Sequence, residues 1–446
     1  MPDFQGKFQY LVGAAAQEGP CRVRFDAQTF TLTPETGSAL VFDLGDLEAV
    51  AVANWEVRLP LYTGRTLVLR QFGKAYETLA HDLTEVYRNR AVQCMLLEDM
   101  GEVARFNGNV EVSGGASGSA EIRLYKSNLA VLPAAANGFQ WRLADIDDVK
   151  LDSSTYEIVI QSGGDRLKVS RLAKRTEEFA AQLRESMNAL ATQSTQALHG
   201  MLPFLDPDQL QSCASLLREG RSAPLAKLVA IHKQIPVALA ANAVDKDLKP
   251  YYDQLVAKAA AGTGYVGFKL IRPEVEKDSD AAEKEKPAHA DKEADDDASD
   301  APDADASAPA TLYWFLFPLA ARKGLGVANA VAWEASSRSG RATYFFRLTD
   351  PAQAAQLADP SRGASVVEDS IRRLNRVLAM LNFRRRPIYL SDDELAMSPQ
   401  LHRYAIAARR LPEVREVRAN FLGRALHSSP EAWQTQVESI LSHAGA

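Results

Sequence analysis

Residues 57–86 read VRLPLYTGRTLVLRQFGKAYETLAHDLTEV, and residues 156–187 read YEIVIQSGGDRLKVSRLAKRTEEFAAQLRESM. Each stretch opens on a strand pattern, turns at small residues (Thr63-Gly64; Ser162-Gly163-Gly164), alternates again and passes at once into a helix pattern. Leu67 and Leu69 alternate with Val68 and Arg70, and Leu167 and Val169 with Lys168 and Ser170, the period of a strand. Tyr76, Leu79, Ala80, Leu83, Val86 and Tyr87 then recur at spacings of three and four, as do Phe179, Leu183, Met187 and Leu190. Each helix therefore carries one apolar stripe. A helix that follows a hairpin so closely is expected to cap the end of an antiparallel sheet.

The likeness extends upstream. At an offset of 99, VFDLGDLEAV (41–50) lies over QWRLADIDDV (140–149), pairing Phe42 with Trp141, Leu44 with Leu143, Asp46 with Asp145, Leu47 with Ile146 and Val50 with Val149. Downstream the offset is 100, pairing Leu67 with Leu167, Leu79 with Phe179 and Leu83 with Leu183, which one added residue in the hairpin turn would explain. A period of this size is too long for a solenoid and suits a duplicated domain. Before it, Phe4 to Leu44 alternates in short runs broken by Glu18-Gly19-Pro20 and by Pro34-Glu35-Thr36-Gly37, a meander of strands.

Several strands, an aspartate-led turn before a strand, a hairpin and one closing helix together resemble pleckstrin-homology-like domains of bacterial type, in tandem. The resemblance covers residues 1–192. It implies two bent, seven-stranded sheets, each plugged at one end by the helix of its own repeat. It also implies binding modules or scaffolds, enzymes being rare on this fold. Phosphoinositide-binding members of that superfamily use a basic residue on the first strand and a basic-x-basic pair on the second, positions that Lys7, Arg22 and Arg24 could fill. The loop from Ala14 to Pro20 has no cation and one anion, and Glu111 and Glu121 flank the matching turn of the second repeat, so no headgroup site is expected.

At 446 residues the chain calls for several cores. Boundaries are expected at 1–97 and 98–192 for the repeats, 193–262 for a helical segment punctuated by prolines, and 263–446 for a C-terminal α+β domain. The fold class is α+β. No signal-like start is evident, and the longest apolar run, Leu312 to Ala321, falls well short of the roughly 20 residues that cross a bilayer. Cys21, Cys94 and Cys213 have no CxxC spacing, which suits free thiols in a reducing cytoplasm.

Net charge is −6, but its distribution is uneven. Glu274 to Pro309 holds 14 acidic and 4 basic residues, a net of −10; Ala310 to the end holds 18 basic and 12 acidic, a net of +6, with 17 of the 18 arginine. Residues 276–310 contain no aromatic, isoleucine, leucine or valine and are expected to be disordered, an oversized loop between two strands of one sheet. After it, strands are expected at 312–319, 330–335 and 342–348, a helix from a capping box at Ser365 and Glu368, and helices over 399–411, 414–426 and 430–442.

Candidate chemistry is sparse. Gly262 to Gly267 spells GxGxxG, yet a helix precedes it and a strand follows, the reverse of a nucleotide site, so a helix end is the better fit. No histidine has metal-ligand spacing, and His81 and His402 fit exposed helix positions. Trp314, Trp333, Tyr344 and Phe345 fit strand cores better than base-stacking platforms. Arg372, Arg373, Arg376, Arg384, Arg385 and Arg386 are the candidate binding residues, since arginine suits bidentate capture of phosphate or carboxylate. The sequence is therefore expected to encode a non-enzymatic, cofactor-free cytoplasmic scaffold that binds protein partners. A nucleic-acid or chromatin-associated protein, with the acidic loop autoinhibiting the arginine face, stays open as the alternative.

Overall fold

Alternation in the opening meander places Phe4, Phe8, Val23, Phe25, Phe30 and Leu32 on one buried face. The computed structural model describes residues 3–97, 101–259, 263–271, 310–320, 328–336, 341–348 and 360–444. The chain is α+β and divides into two compact units, 1–187 with 390–415, and 188–389 with 416–446.

In the first unit the strands are β1 (Asp3–Val12), β2 (Ala15–Phe25), β3 (Thr29–Pro34), β4 (Leu40–Asp43), β5 (Ala51–Ala53), β6 (Glu56–Pro60) and β7 (Thr66–Arg70), followed by α1 (Tyr76–Gln93). They form one antiparallel sheet in the order β4-β3-β2-β1-β7-β6-β5, with a 3-10 turn, Leu44–Asp46, after β4. The second repeat copies this plan with β8 (Glu102–Val112), β9 (Ser117–Tyr125), β10 (Asn128–Pro133), β11 (Phe139–Arg142), β12 (Asp148–Asp152), β13 (Glu157–Ser162), β14 (Asp165–Ser170) and α2 (Thr176–Met201). Its order is β11-β10-β9-β8-β14-β13-β12, and its 3-10 turn is Leu143–Asp145. The apolar stripe of α1 is buried as the spacing requires, with Leu79 and Leu83 fully enclosed, as are Phe179 and Leu183 of α2.

Strand register corrects the explanation of the offset. Val52 pairs with Val57, and Leu151 with Ile158, so the β5–β6 turn has two residues where the β12–β13 turn has four. Two residues are gained there and one is lost at the next turn, where seven residues separate the paired Leu59 and Leu67 and six separate Ile160 and Leu167. Sequence alone sees only the net change, because hairpin tips carry no core side chain to hold an alignment.

The two repeats share a core. Tyr125, Ala130 and Leu132 of the second cluster with Leu83 and Tyr87 of the first. Beside them lies a buried ionic group in which Glu121 meets Arg123 at 2.5 Å, Arg88 of α1 at 3.1 Å and Arg105 at 3.8 Å. Glu121 is thus enclosed with several cationic partners, the condition under which a buried carboxylate is tolerated.

In the second unit come α3 (Pro207–Leu216), β15 (Ala223–Pro224), α4 (Leu225–Ile231), α5 (Ile235–Ala243), α6 (Lys249–Lys258), β16 (Tyr265–Ile271), β17 (Ala310–Leu319), β18 (Ala330–Ala335), β19 (Ala342–Arg347), α7 (Pro360–Met380) and α8 (Arg386–Tyr389). Asp206 caps α3 in a full capping box with Gln209. Strands run in the order β15-β16-β17-β18-β19-β20, where β20 is Phe421–Leu426. Ile271 pairs with Ala310, so the acidic segment does join adjacent strands of one sheet; residues 272–309 themselves lie outside the described residues.

Three helices differ from expectation. α7 starts at Pro360, with Ser365 already inside it, since proline's fixed φ suits a first helical turn. The expected 399–411 helix starts later, as α10 (His402–Arg410), and an unexpected short helix, α9 (Asp392–Met397), precedes it. The 414–426 helix ends as α11 (Pro412–Ala419), and Phe421 to Leu426 becomes the sixth strand against β19. There Gly423 takes φ 144°, and α12 (Pro430–Ala444) packs over it. A left-handed glycine inside the stretch and an unpaired β19 edge favour the strand.

Candidate functional site

In the first repeat Asp43, Leu44, Gly45, Asp46 and Leu47 turn a tight corner that ends β4. Asp43 caps it by accepting from the Gly45 amide at 2.7 Å and takes both Arg90 Nε and Nη2, at 2.8 and 2.6 Å. The corner leaves the carbonyls of Gly45 and Leu47 facing the same way, and a helix from far along the chain meets them. Arg410, the last residue of α10, donates from Nη1 to Gly45 O at 3.2 Å and Leu47 O at 3.0 Å, and from Nη2 to the Tyr87 hydroxyl at 3.1 Å. That hydroxyl in turn donates to Glu48 O at 2.6 Å. Arg409 reaches Asp46 at 2.6 Å.

Arg410 is 1% exposed. Burial works against its charge, but the neighbouring phenols of Tyr87 and Tyr62 and the Tyr87 hydrogen bond hold its pKa above the ordinary arginine range. Close approach of α10 depends on Gly45, where a Cβ would stand 2.7 Å from Cys94 Sγ and 2.9 Å from Ile406 Cγ2. Burial also pushes the Cys94 thiol up to about 11.

The second repeat differs in sequence at this corner. Its corner reads Arg142, Leu143, Ala144, Asp145 and Ile146, so a cation replaces Asp43 and a side chain replaces the hydrogen of Gly45. Met187 stands where Tyr87 does, without a hydroxyl. Arg142 and Asp145 are both buried, 3.8 Å apart.

The other surface that sets the repeats apart is the β5–β6 turn. Asn54 and Trp55 both have positive φ, 53° and 61°, the two-residue hairpin geometry that ordinarily takes Asn-Gly. Trp55 stands 68% exposed with its ring 5.1 Å from Tyr76. Tyr156, 59% exposed at φ 54°, occupies the matching place in the second repeat.

The six candidate arginines do not present one common exposed face. Arg373 is exposed and donates to Ser370 Oγ, and Arg372 lies half-buried 4.0 Å from Glu368. Arg376, Arg384 and Arg386 are half-buried, and Arg385 is 7% exposed, its guanidinium 5.8 Å from the Tyr344 ring centre. Further along, Arg418 donates to Pro387 O and Arg424 lies 4.5 Å from the Tyr389 ring. Lys7 is exposed, and Arg24 pairs with Asp3 at 2.9 Å. His81 is exposed and His402 half-buried, 3.9 Å from Asp43. Trp314, Trp333, Tyr344 and Phe345 are core residues. Gly262 lies outside the described residues; around it α6 precedes and β16 follows, the order that excludes a phosphate-binding helix N-terminus.

Sequence reasoning missed one polar cluster. Thr343 Oγ1 donates to Glu334 Oε2 at 2.6 Å, accepts from Trp433 Nε1 at 2.9 Å and lies 3.0 Å from His427 Nε2, whose ring stacks on Tyr251. The cluster borders a cavity of about 290 Å³ lined in part by Asn242, Asp245, Glu334 and Arg341. Thr343 has no exposed surface, and its hydroxyl serves as an internal hydrogen-bond partner. Only the tertiary fold joins Glu334, Thr343, His427 and Trp433, which are separated by up to 99 positions.

Comparison with protein-family models and with curated proteins finds no match for this chain.

Proposed function

We propose that the protein is a non-enzymatic scaffold whose two pleckstrin-homology-like modules bind polypeptide partners. The order of strands in each repeat, with its single following helix, supports the module assignment. One observation carries the function: the first module already holds a helix, α10, through side chains suited to that task. Arg410 satisfies two corner carbonyls and a tyrosine hydroxyl at once, and Gly45 removes the side chain that would keep the helix away. Polypeptide recognition is thus within the chemistry of this surface. The distribution of the arginines, from exposed Arg373 to buried Arg385 and Arg410, favours this function over nucleic-acid binding, which needs cations converging on a solvent-facing groove.

Affinity purification of the full chain, with and without nuclease, tests the proposal. A scaffold returns the same protein partners in both samples, with no absorbance excess at nucleic-acid wavelengths. Recovery of nucleic acid, with the co-purifying proteins lost on nuclease treatment, would overturn it.

A further inference from the structure

Of the five tryptophans, Trp141, Trp314, Trp333 and Trp433 are buried, and Trp55 alone faces solvent. It does so from a backbone conformation that a bulky residue rarely takes. Left-handed φ costs a residue with a Cβ free energy that glycine avoids, and a glycine here would complete the favoured Asn-Gly turn. An exposed indole kept on a strained turn gives folding little in return, and observed strain of this kind points towards function.

The strand behind it strengthens the case. β5 is the last strand of its sheet and pairs only with β6 among the described residues, so its outer N–H and C=O groups form an edge. From Ala49 to Trp55 that edge has no charge, and Val52 is 45% exposed. The matching edge of the second repeat, β12, carries Asp148, Lys150 and Asp152, with Lys150 and Asp148 paired at 3.0 Å. Charges are the usual protection of a sheet edge against another strand. The second repeat has that protection and the first lacks it.

We propose that the β5–β6 edge of the first repeat docks an extended, uncharged and apolar segment of a partner protein, laid as a strand beside β5 with Trp55 as its anchor. This rests on the scaffold function and specifies its partner. Charge complementarity selects the occupant: a neutral edge takes an apolar strand with no buried charge left unpaired, whereas a charged peptide would lose hydration without gaining a counter-ion. A second copy of this chain is a poor fit. Two three-residue strands paired about a dyad bury far less than the roughly 1,200–2,000 Å² of a stable interface. A short linear segment needs only the backbone ladder and one aromatic anchor, and tryptophan is among the side chains enriched in that role.

Short random peptides displayed on phage, selected on the immobilised full chain, provide the test. Enriched sequences are expected to be uncharged and rich in β-branched residues. By calorimetry their affinity should fall at least about tenfold for Trp55→Gly, which removes the anchor, and for Val52→Lys, which supplies the missing edge charge. Both variants should melt within a few degrees of wild type, because both positions are exposed. Peptide binding should also shield wild-type tryptophan fluorescence from acrylamide, since one indole is accessible. No enrichment, enrichment of charged peptides, or affinities unmoved by both substitutions would overturn the proposal. Cellular partners that persist with both variants would leave the scaffold function standing and discard this edge; peptides that bind the edge without any cellular partner would do the reverse.

Discussion

The corners of the two repeats, 43–47 and 142–146, lie at the same point of the same strand order and carry different residues. In the first, Gly45 makes room for α10 and the hydroxyl of Tyr87 binds Arg410; in the second, the matching positions hold Ala144, Arg142 and Met187, a methyl group, a cation and a thioether. Core positions such as Leu47 and Ile146 or Leu67 and Leu167 stay apolar and fully buried in both. Duplication has therefore kept the burial that makes the sheet while the surface chemistry diverged. A hydrogen against a methyl group and a phenol against a thioether mark one corner from the other.

Arg410→Ala should have the largest effect on that contrast. It leaves two buried carbonyls and a buried hydroxyl without their donor, at a cost of about 3 kcal/mol in urea unfolding. Should it cost less than about 1 kcal/mol, the grip on α10 would be incidental.

A reciprocal exchange comes next. Gly45→Ala forces a methyl group against Cys94 and Ile406 and should cost about 2 kcal/mol, whereas Ala144→Gly should cost only the roughly 0.5–1 kcal/mol of added backbone freedom. Equal effects would mean that the two corners are packed alike.

Cys94, whose counterpart is Ser194, gives the pH test. Its thiol holds a proton to about pH 11 in the folded state, above the free value near 8.5. The folded chain thus binds this proton more tightly, so the associated stability is complete below about pH 8.5 and drains as pH rises towards 11. Urea unfolding at pH 8 and pH 10 should show a fall of order 1 kcal/mol, smaller in Cys94→Ser; an identical fall in the variant would assign the drain to Cys21 and Cys213, whose thiols burial raises similarly.

Trp55→Gly should change least. Relief of the left-handed strain offsets the lost ring contact with Tyr76, leaving stability within about 1 kcal/mol of wild type. A larger loss would show that Trp55 serves the fold of its own repeat.

Periodicity by itself determined the duplicated strand–turn–strand–helix unit, the helix stripes of Leu79 and Leu83 and of Phe179 and Leu183, and the strand partnership across the acidic segment, because each rests on burial that local spacing expresses. Residues 1–192 are expected from sequence to fold unaided, yet the first unit includes 390–415 as well. No local signal marks that segment, since α10 has an ordinary amphipathic pattern and Arg410 differs from Arg403 or Arg415 only in where it lands. The same holds for the Glu334, Thr343 and His427 cluster and for the six arginines, which share a composition but range from exposed to buried. Spacing fixes which face of an element is apolar. Which distant element covers that face, and which charges are drawn inside with it, depends on long-range packing that only the tertiary structure decides.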